Sequence, residues 1–92
     1  MVSVWNPKIP SSRILNKKLS ESFKNSADTK FISICNDSDS VLMNEILFVD
    51  KVHTGQHLNI AQISERTLKD YDIRSTTGAF LISKEGKITM KL

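Results

Sequence analysis

Two short apolar runs constrain this chain more than any other feature. Residues 30–35 read KFISIC, with Ser33 the only polar side chain among Phe31, Ile32, Ile34 and Cys35, and residues 79–82 read AFLI. A strand that is apolar on both sides must be covered on both faces. That is the habit of a mostly parallel sheet flanked by helices, not of a half-exposed antiparallel one. The intervening segments supply the helices. Leu15, Leu19 and Phe23 recur every fourth residue with Ile14 beside them. This spacing predicts an amphipathic helix over 11–25 that buries the stripe, leaves Lys17, Lys18, Glu21 and Lys24 in water, and is capped by Ser11 or Ser12. Val41, Leu42, Ile46, Leu47 and Val49 repeat at steps of three and four, which predicts a second helix over 40–50. Ser64 and Glu65 open a third, short helix with Leu68 and Tyr71 on its inner side.

The remaining strands are weaker in signal. Val2, Val4 and Trp5 form a β-prone patch ended by Asn6 and Pro7. Residues 57–61 fit a short strand or irregular chain equally. Lys84, Glu85, Gly86 and Lys87 make a hairpin loop, after which Ile88, Met90 and Leu92 alternate with polar residues as a half-buried strand does. The element order is therefore β-α-β-α-(β)-α-β-β. It implies an α/β fold with a mixed, mostly parallel sheet of four or five strands and right-handed crossovers. The first two helices are expected on opposite faces, or sharing cover with the third.

Ninety-two residues make one small domain. Thirteen Lys and Arg stand against ten Asp and Glu, for a net charge of +3 with mixed signs along the chain. That is not the footprint of a nucleic-acid binder. Lys8, Arg13, Lys17 and Lys18 cluster near the first helix, but Trp5 is the only aromatic residue close by, so the cluster is read as a solvated face. A single cysteine excludes an internal disulfide, a CxxC motif and a cysteine-based zinc site. No apolar run approaches the length of a membrane span, and the first residues lack the basic flank and apolar core of a secretory signal.

Against this background the sequence resembles the thioredoxin-like superfamily, and within it the TlpA-like thiol-disulfide oxidoreductases. Tyr71-Asp-Ile-Arg-Ser-Thr-Thr-Gly-Ala-Phe-Leu-Ile-Ser-Lys-Glu-Gly-Lys-Ile88 is similar to the family segment Y-x-V-x-x-x-P-T-x-F-L-I-D-x-x-G-x-I. Val2-Ser-Val-Trp-Asn-Pro-Lys-Ile-Pro-Ser-Ser-Arg13 is similar to V-x-F-W-A-x-W-C-x-x-C-R, with Trp5 and Arg13 at the family's offset. Phe31-Ile-Ser-Ile resembles the second core strand. The resemblance places the two family cysteines at Ile9 and Ser12, with Pro10 and Ser11 between them, and the family's cis-proline at Thr77. It thus implies the fold but not the reaction, because thiol-disulfide exchange needs an attacking and a resolving thiol. It implies a vestigial groove bounded by Trp5, Arg13, Thr76 and Gly78, and a location in the bacterial periplasm or cell envelope. It also implies a closing helix after the last strand that this chain lacks, so the chain is expected to be a fragment of a longer protein.

Each other chemical candidate has a plainer reading. Cys35 lies in a buried-type strand, where a thiol is poorly reactive. His53 and His57 are four apart, but Gly55 between them argues against a helical metal site. Ser11 and Ser12 lack the surroundings of a nucleophile elbow. No metal and no cofactor are expected. The sequence reading is a redox-inactive structural or protein-interaction module of an envelope protein, with a protein partner or self-association through a sheet face left uncovered. Two alternatives stand beside it. One is a thiol-disulfide oxidoreductase or peroxidase using Cys35 or a partner's cysteines. The other is a peptide-binding domain using the vestigial groove.

Overall fold

In the computed structural model, which describes residues 1–75 and 77–91, the chain forms one five-stranded sheet with helices on both sides. The elements are β1 (Val2–Trp5), α1 (Pro10–Phe23), β2 (Ile32–Cys35), α2 (Ser40–Val49), β3 (Gln56–Asn59), α3 (Glu65–Asp70), β4 (Gly78–Ile82) and β5 (Ile88–Lys91), with short 3₁₀ turns at Ile60–Gln62 and Ile73–Ser75. The strand order is β3-β2-β1-β4-β5. β1, β2 and β3 are parallel, while β4 runs antiparallel to β1 and β5 antiparallel to β4. The ambiguous residues 57–61 thus divide into a true edge strand and a 3₁₀ turn capped by Asn59.

From β1 to β2 to β3 the chain steps one strand sideways each time in the same direction. Two right-handed crossovers in one direction place both helices on one face. α1 and α2 accordingly share a face, instead of lying opposite each other. On that face Trp5 and Cys35 pack with Met43, Leu47 and Val52, and Leu19 packs with Phe31 and Ala79. The other face carries Val2, Val4, Ile34 and Phe80 against Leu68 and Ile73 from α3 and the turn after it. Strand alternation sorts the residues this way, since successive side chains point to opposite sides.

α1 differs from expectation in two respects. Its N-cap is Ile9, with no side-chain cap, and Pro10 begins the helix. Proline suits that position because its preset φ is helical and it has no N–H to satisfy. The buried face is also rotated. Ser12, Asn16, Leu19 and Ser20 are buried, while Leu15 and Phe23 are only half-buried and Ile14 is exposed. The lysines and Glu21 are exposed as expected.

α2 departs further. Asp39 caps it by accepting from the N–H groups of Val41 and Leu42. Only Met43 and Leu47 are buried, however, and Val41, Phe48 and Val49 stand 66%, 77% and 69% exposed. The helix is apolar nearly all round, so its sequence alone does not reveal the inward side. At the other end of the sheet, Gly86 closes the hairpin with φ 82°, and the Tyr71 hydroxyl donates to its carbonyl at 2.6 Å while the ring stacks on Phe80. Met90 is exposed beside half-buried Leu81, and Ile88 is half-buried on the α3 side.

Candidate functional site

The loop from β1 into α1 is held by its own backbone and one serine. The Ser12 hydroxyl accepts from the Asn6 N–H at 2.9 Å and lies 2.7 Å from the Ile9 carbonyl and 3.0 Å from the Asn6 carbonyl. Its single proton serves those two oxygens, so Ser12 is a clasp within the loop, not a helix cap. The Asn6 side chain accepts from the Lys8 N–H. Ile9, Pro10 and Ser11 are exposed on the outside of this turn. No hydrogen bond links either serine to an imidazole or a carboxylate among the described residues, so neither hydroxyl is activated.

Arg13 is turned toward α2. It makes a two-pronged ion pair with Asp50 at the end of α2, at 2.7 and 3.1 Å, which ties α1 to α2. The carboxylate raises the guanidinium's pKa through that hydrogen bond, against a smaller desolvation effect. Facing the loop across the end of the sheet is the segment before β4. The Arg74 carbonyl accepts from Asn36 Nδ2 at 2.9 Å, and the Arg74 guanidinium pairs with Glu65. Ser75 bonds to Asp72. Thr77 is exposed, and Gly78 starts β4 opposite Val4. Thr76, and with it the peptide bond joining Thr76 to Thr77, lies outside the described residues.

Trp5 is fully buried and lines no groove. Its indole N–H donates to Ser33 Oγ at 3.2 Å, and Ser33 Oγ lies 2.7 Å from His57 Nδ1. This chain of bonds crosses β1, β2 and β3 inside the molecule. Since tryptophan only donates, the serine accepts from it, and its own proton is free to go to the imidazole. It is the one hydroxyl–imidazole pair among the described residues, and it is sealed: Ser33 is 0% exposed. His57 is therefore no loop histidine. Burial lowers its pKa below the ordinary 6.5, with the Thr54 carbonyl acting weakly the other way. His53 is exposed, and no group of three potential metal ligands occurs among the described residues.

Cys35 is sealed beneath α2, and burial, reinforced by Asp37, pushes its thiol up to about 12. At neutral pH such a group is a thiol throughout, and the thiolate is the nucleophile.

The sequence reading missed the polar seam between α1 and the sheet. Ser12, Asn16 and Ser20 on the helix, and Ser3, Ser33 and His57 on the strands, are buried or half-buried on the same side. The available signal was the four-residue spacing of Ser12, Asn16 and Ser20, a helical stripe in its own right.

No protein-family model matches the sequence, and no curated protein is similar enough to match it. Solved structures do match. A thioredoxin-like protein from Parabacteroides distasonis is 29% identical and superposes with a TM-score of 0.77, over 98% of this chain and 68% of its own length. This chain has a thioredoxin-like fold. The thioredoxin domain of a thiol-disulfide oxidoreductase from Bacteroides vulgatus shares the fold at 21% identity and a TM-score of 0.76, over 98% of this chain and 66% of its own. A thiol-disulfide oxidoreductase from Bacteroides fragilis does so at 22% and 0.73, over 98% and 68%. The thioredoxin-like domain thus spans about two thirds of the length of these neighbours, and no helix among its described residues is long and apolar enough to cross a membrane.

Proposed function

We propose that this thioredoxin-like domain performs no thiol-disulfide exchange and serves as a structural or protein-interaction module of a longer envelope protein. The observation that carries the reading is the state of the loop where the resemblance places the dithiol. Ile9 has no nucleophile, and the Ser12 hydroxyl is committed to Asn6 and Ile9. The one cysteine is sealed, with its thiol held far above neutral. Exchange requires a thiolate that attacks and a second thiol that resolves the mixed disulfide, and neither is supplied. The envelope placement rests on the resemblance alone.

The test is insulin reduction with dithiothreitol as the electron source, comparing the wild type with Cys35→Ser. Both are expected to stay at the uncatalysed rate. Turnover above background in either protein overturns the proposal, and turnover lost in Cys35→Ser restores the single-thiol alternative.

A further inference from the structure

Charge on this chain is segregated by helix. Residues 8–24 hold Lys8, Arg13, Lys17, Lys18 and Lys24 against one carboxylate, Glu21, while residues 36–50 hold Asp37, Asp39, Glu45 and Asp50 and no Lys, Arg or His. These are the segments that build α1 and α2, which lie on the same face of the sheet. Their outward sides also carry the exposed apolar residues Ile14, Val41, Phe48 and Val49. On α2, Val41, Glu45 and Phe48 fall on the side opposite buried Met43 and Leu47, since residues four and seven apart share a face. On α1, exposed Ile14 and Lys18 fall opposite the buried stripe, with Lys17 beside them. One stripe is thus apolar and acidic, and the other is apolar and net basic, with Glu21 the one carboxylate among its lysines. A shallow cleft of about 280 Å³, lined by Pro10, Arg13, Ile14, Lys17 and Asp50, opens between them. Arg13 and Asp50 already join across it within one molecule.

We propose that the outer faces of α1 and α2 form one self-complementary surface, through which two copies of this chain associate about a two-fold axis. α1 of each copy lies on α2 of the other, the exposed Phe48 enters the cleft, and Glu45 meets Lys17 and Lys18. A two-fold axis suits the layer because each copy offers both halves of the match. Pairing α2 with α2 does not, since Glu45 sits midway between Val41 and Val49 and would face its own copy. The occupant is therefore this chain's own basic helix. Few apolar side chains are involved, so the interface falls near the lower end of specific interfaces, about 1,200 Å², and association is reversible. The inference supplies a partner for the interaction role proposed above and rests on that reading for its purpose only. Redox activity would leave it untouched, and a monomeric chain would leave the redox reading standing.

Sedimentation velocity from about 5 to about 500 µM tests it. Wild type is expected to dimerise with concentration, roughly tenfold more weakly in 1 M salt than in 0.05 M, because the charge pairs are screened. Phe48→Asp is expected to be monomeric with an unchanged thermal melt, since Phe48 makes little contact within its own chain. Glu45→Lys is expected to weaken the dimer, and adding Lys17→Glu and Lys18→Glu to it is expected to restore it. Four results overturn the proposal: a monomer at every concentration, a dimer indifferent to Phe48→Asp, a charge-swapped protein that stays monomeric, and a dimer broken by Met90→Lys at the sheet face instead.

Discussion

Ser33→Ala removes one oxygen atom from the centre of the fold. Its hydroxyl is 0% exposed and joins the Trp5 indole N–H to His57 Nδ1. The cavity left by a single oxygen is negligible, so the cost comes from the two polar groups deprived of a partner. A buried donor or acceptor left unsatisfied costs about 1–3 kcal/mol. Trp5 Nε1 is deeply buried and takes the full penalty, and His57 loses its Nδ1 partner in a ring whose Nε2 is already buried without one. The expected loss is about 2–4 kcal/mol, a large share of what a domain of this size holds in reserve. It lowers the melting temperature by roughly 10–25 °C.

The assay is urea denaturation followed by far-ultraviolet circular dichroism, with Ser20→Ala as the control. Ser20 is equally buried, but its hydroxyl donates only to the Lys17 carbonyl of its own helix. Removing it costs about 1 kcal/mol or less. A double-mutant cycle with Trp5→Phe separates the hydrogen bond from the packing of the indole. The Trp5→Phe loss should be smaller in the S33A background by about 1 kcal/mol. If Ser33→Ala costs no more than Ser20→Ala, the three-strand chain of bonds contributes nothing and the reasoning fails.

Three further outcomes are expected. Cys35, with its thiol pushed up to about 12, should react with an aromatic disulfide reagent at pH 8 only at the rate at which the domain unfolds, and rapid labelling of the native protein would contradict its burial. Gly55→Ala should cost about 3 kcal/mol or more in urea titration: its φ is +88°, and a Cβ would stand 2.3 Å from the Phe31 carbonyl oxygen, which also accepts the Gln56 N–H and so cannot withdraw. Because burial lowers the His57 pKa, the unfolded chain binds that proton more readily; stability should be full above pH 6.5 and decline as pH falls through the lowered pKa, and His57→Gln should flatten that decline.

The sheet and its order of elements were legible because the strands obey the simplest pattern. Residues 31–35, Ser33 excepted, and 79–82 are apolar on successive positions, and a run of that kind has only covered solutions. The helices were legible in position but not in orientation. In α1 the four-residue spacing of Leu15, Leu19 and Phe23 outweighed that of Ser12, Asn16 and Ser20, because a polar stripe normally faces water. Here small side chains lie on both layers, Ser3 and Ser33 on the strands and Ser12 and Ser20 on the helix, and α1 packs on β1 through them. In α2 the apolar residues go nearly all the way round, so periodicity had no contrast to report. Met43, absent from the expected stripe, is buried, and Val41 and Val49, members of it, are exposed.

The resemblance implies the candidate site as a set of substitutions, and the structure adds how the loop that carries those residues is folded. In this domain polarity is inverted between the turn and its underside: apolar Ile9 is exposed where the resemblance places the attacking thiol, while the Ser12 hydroxyl is turned inward. α1 begins without a side-chain cap, so the hydroxyl that a sequence would assign to capping is free to hold Asn6, and through it the end of β1. Turning that hydroxyl outward to act on a substrate would leave the Asn6 N–H without its partner in the part-buried loop, at a cost of about 1–3 kcal/mol. A group whose hydrogen bonds hold the entry to a helix swings out to react only against that cost. The unreactive side chain exposed at position 9 and the structural use of the hydroxyl at position 12 therefore point the same way. On the function proposed above, what the chain offers a partner is the outward surface of its helices and not the chemistry of their ends.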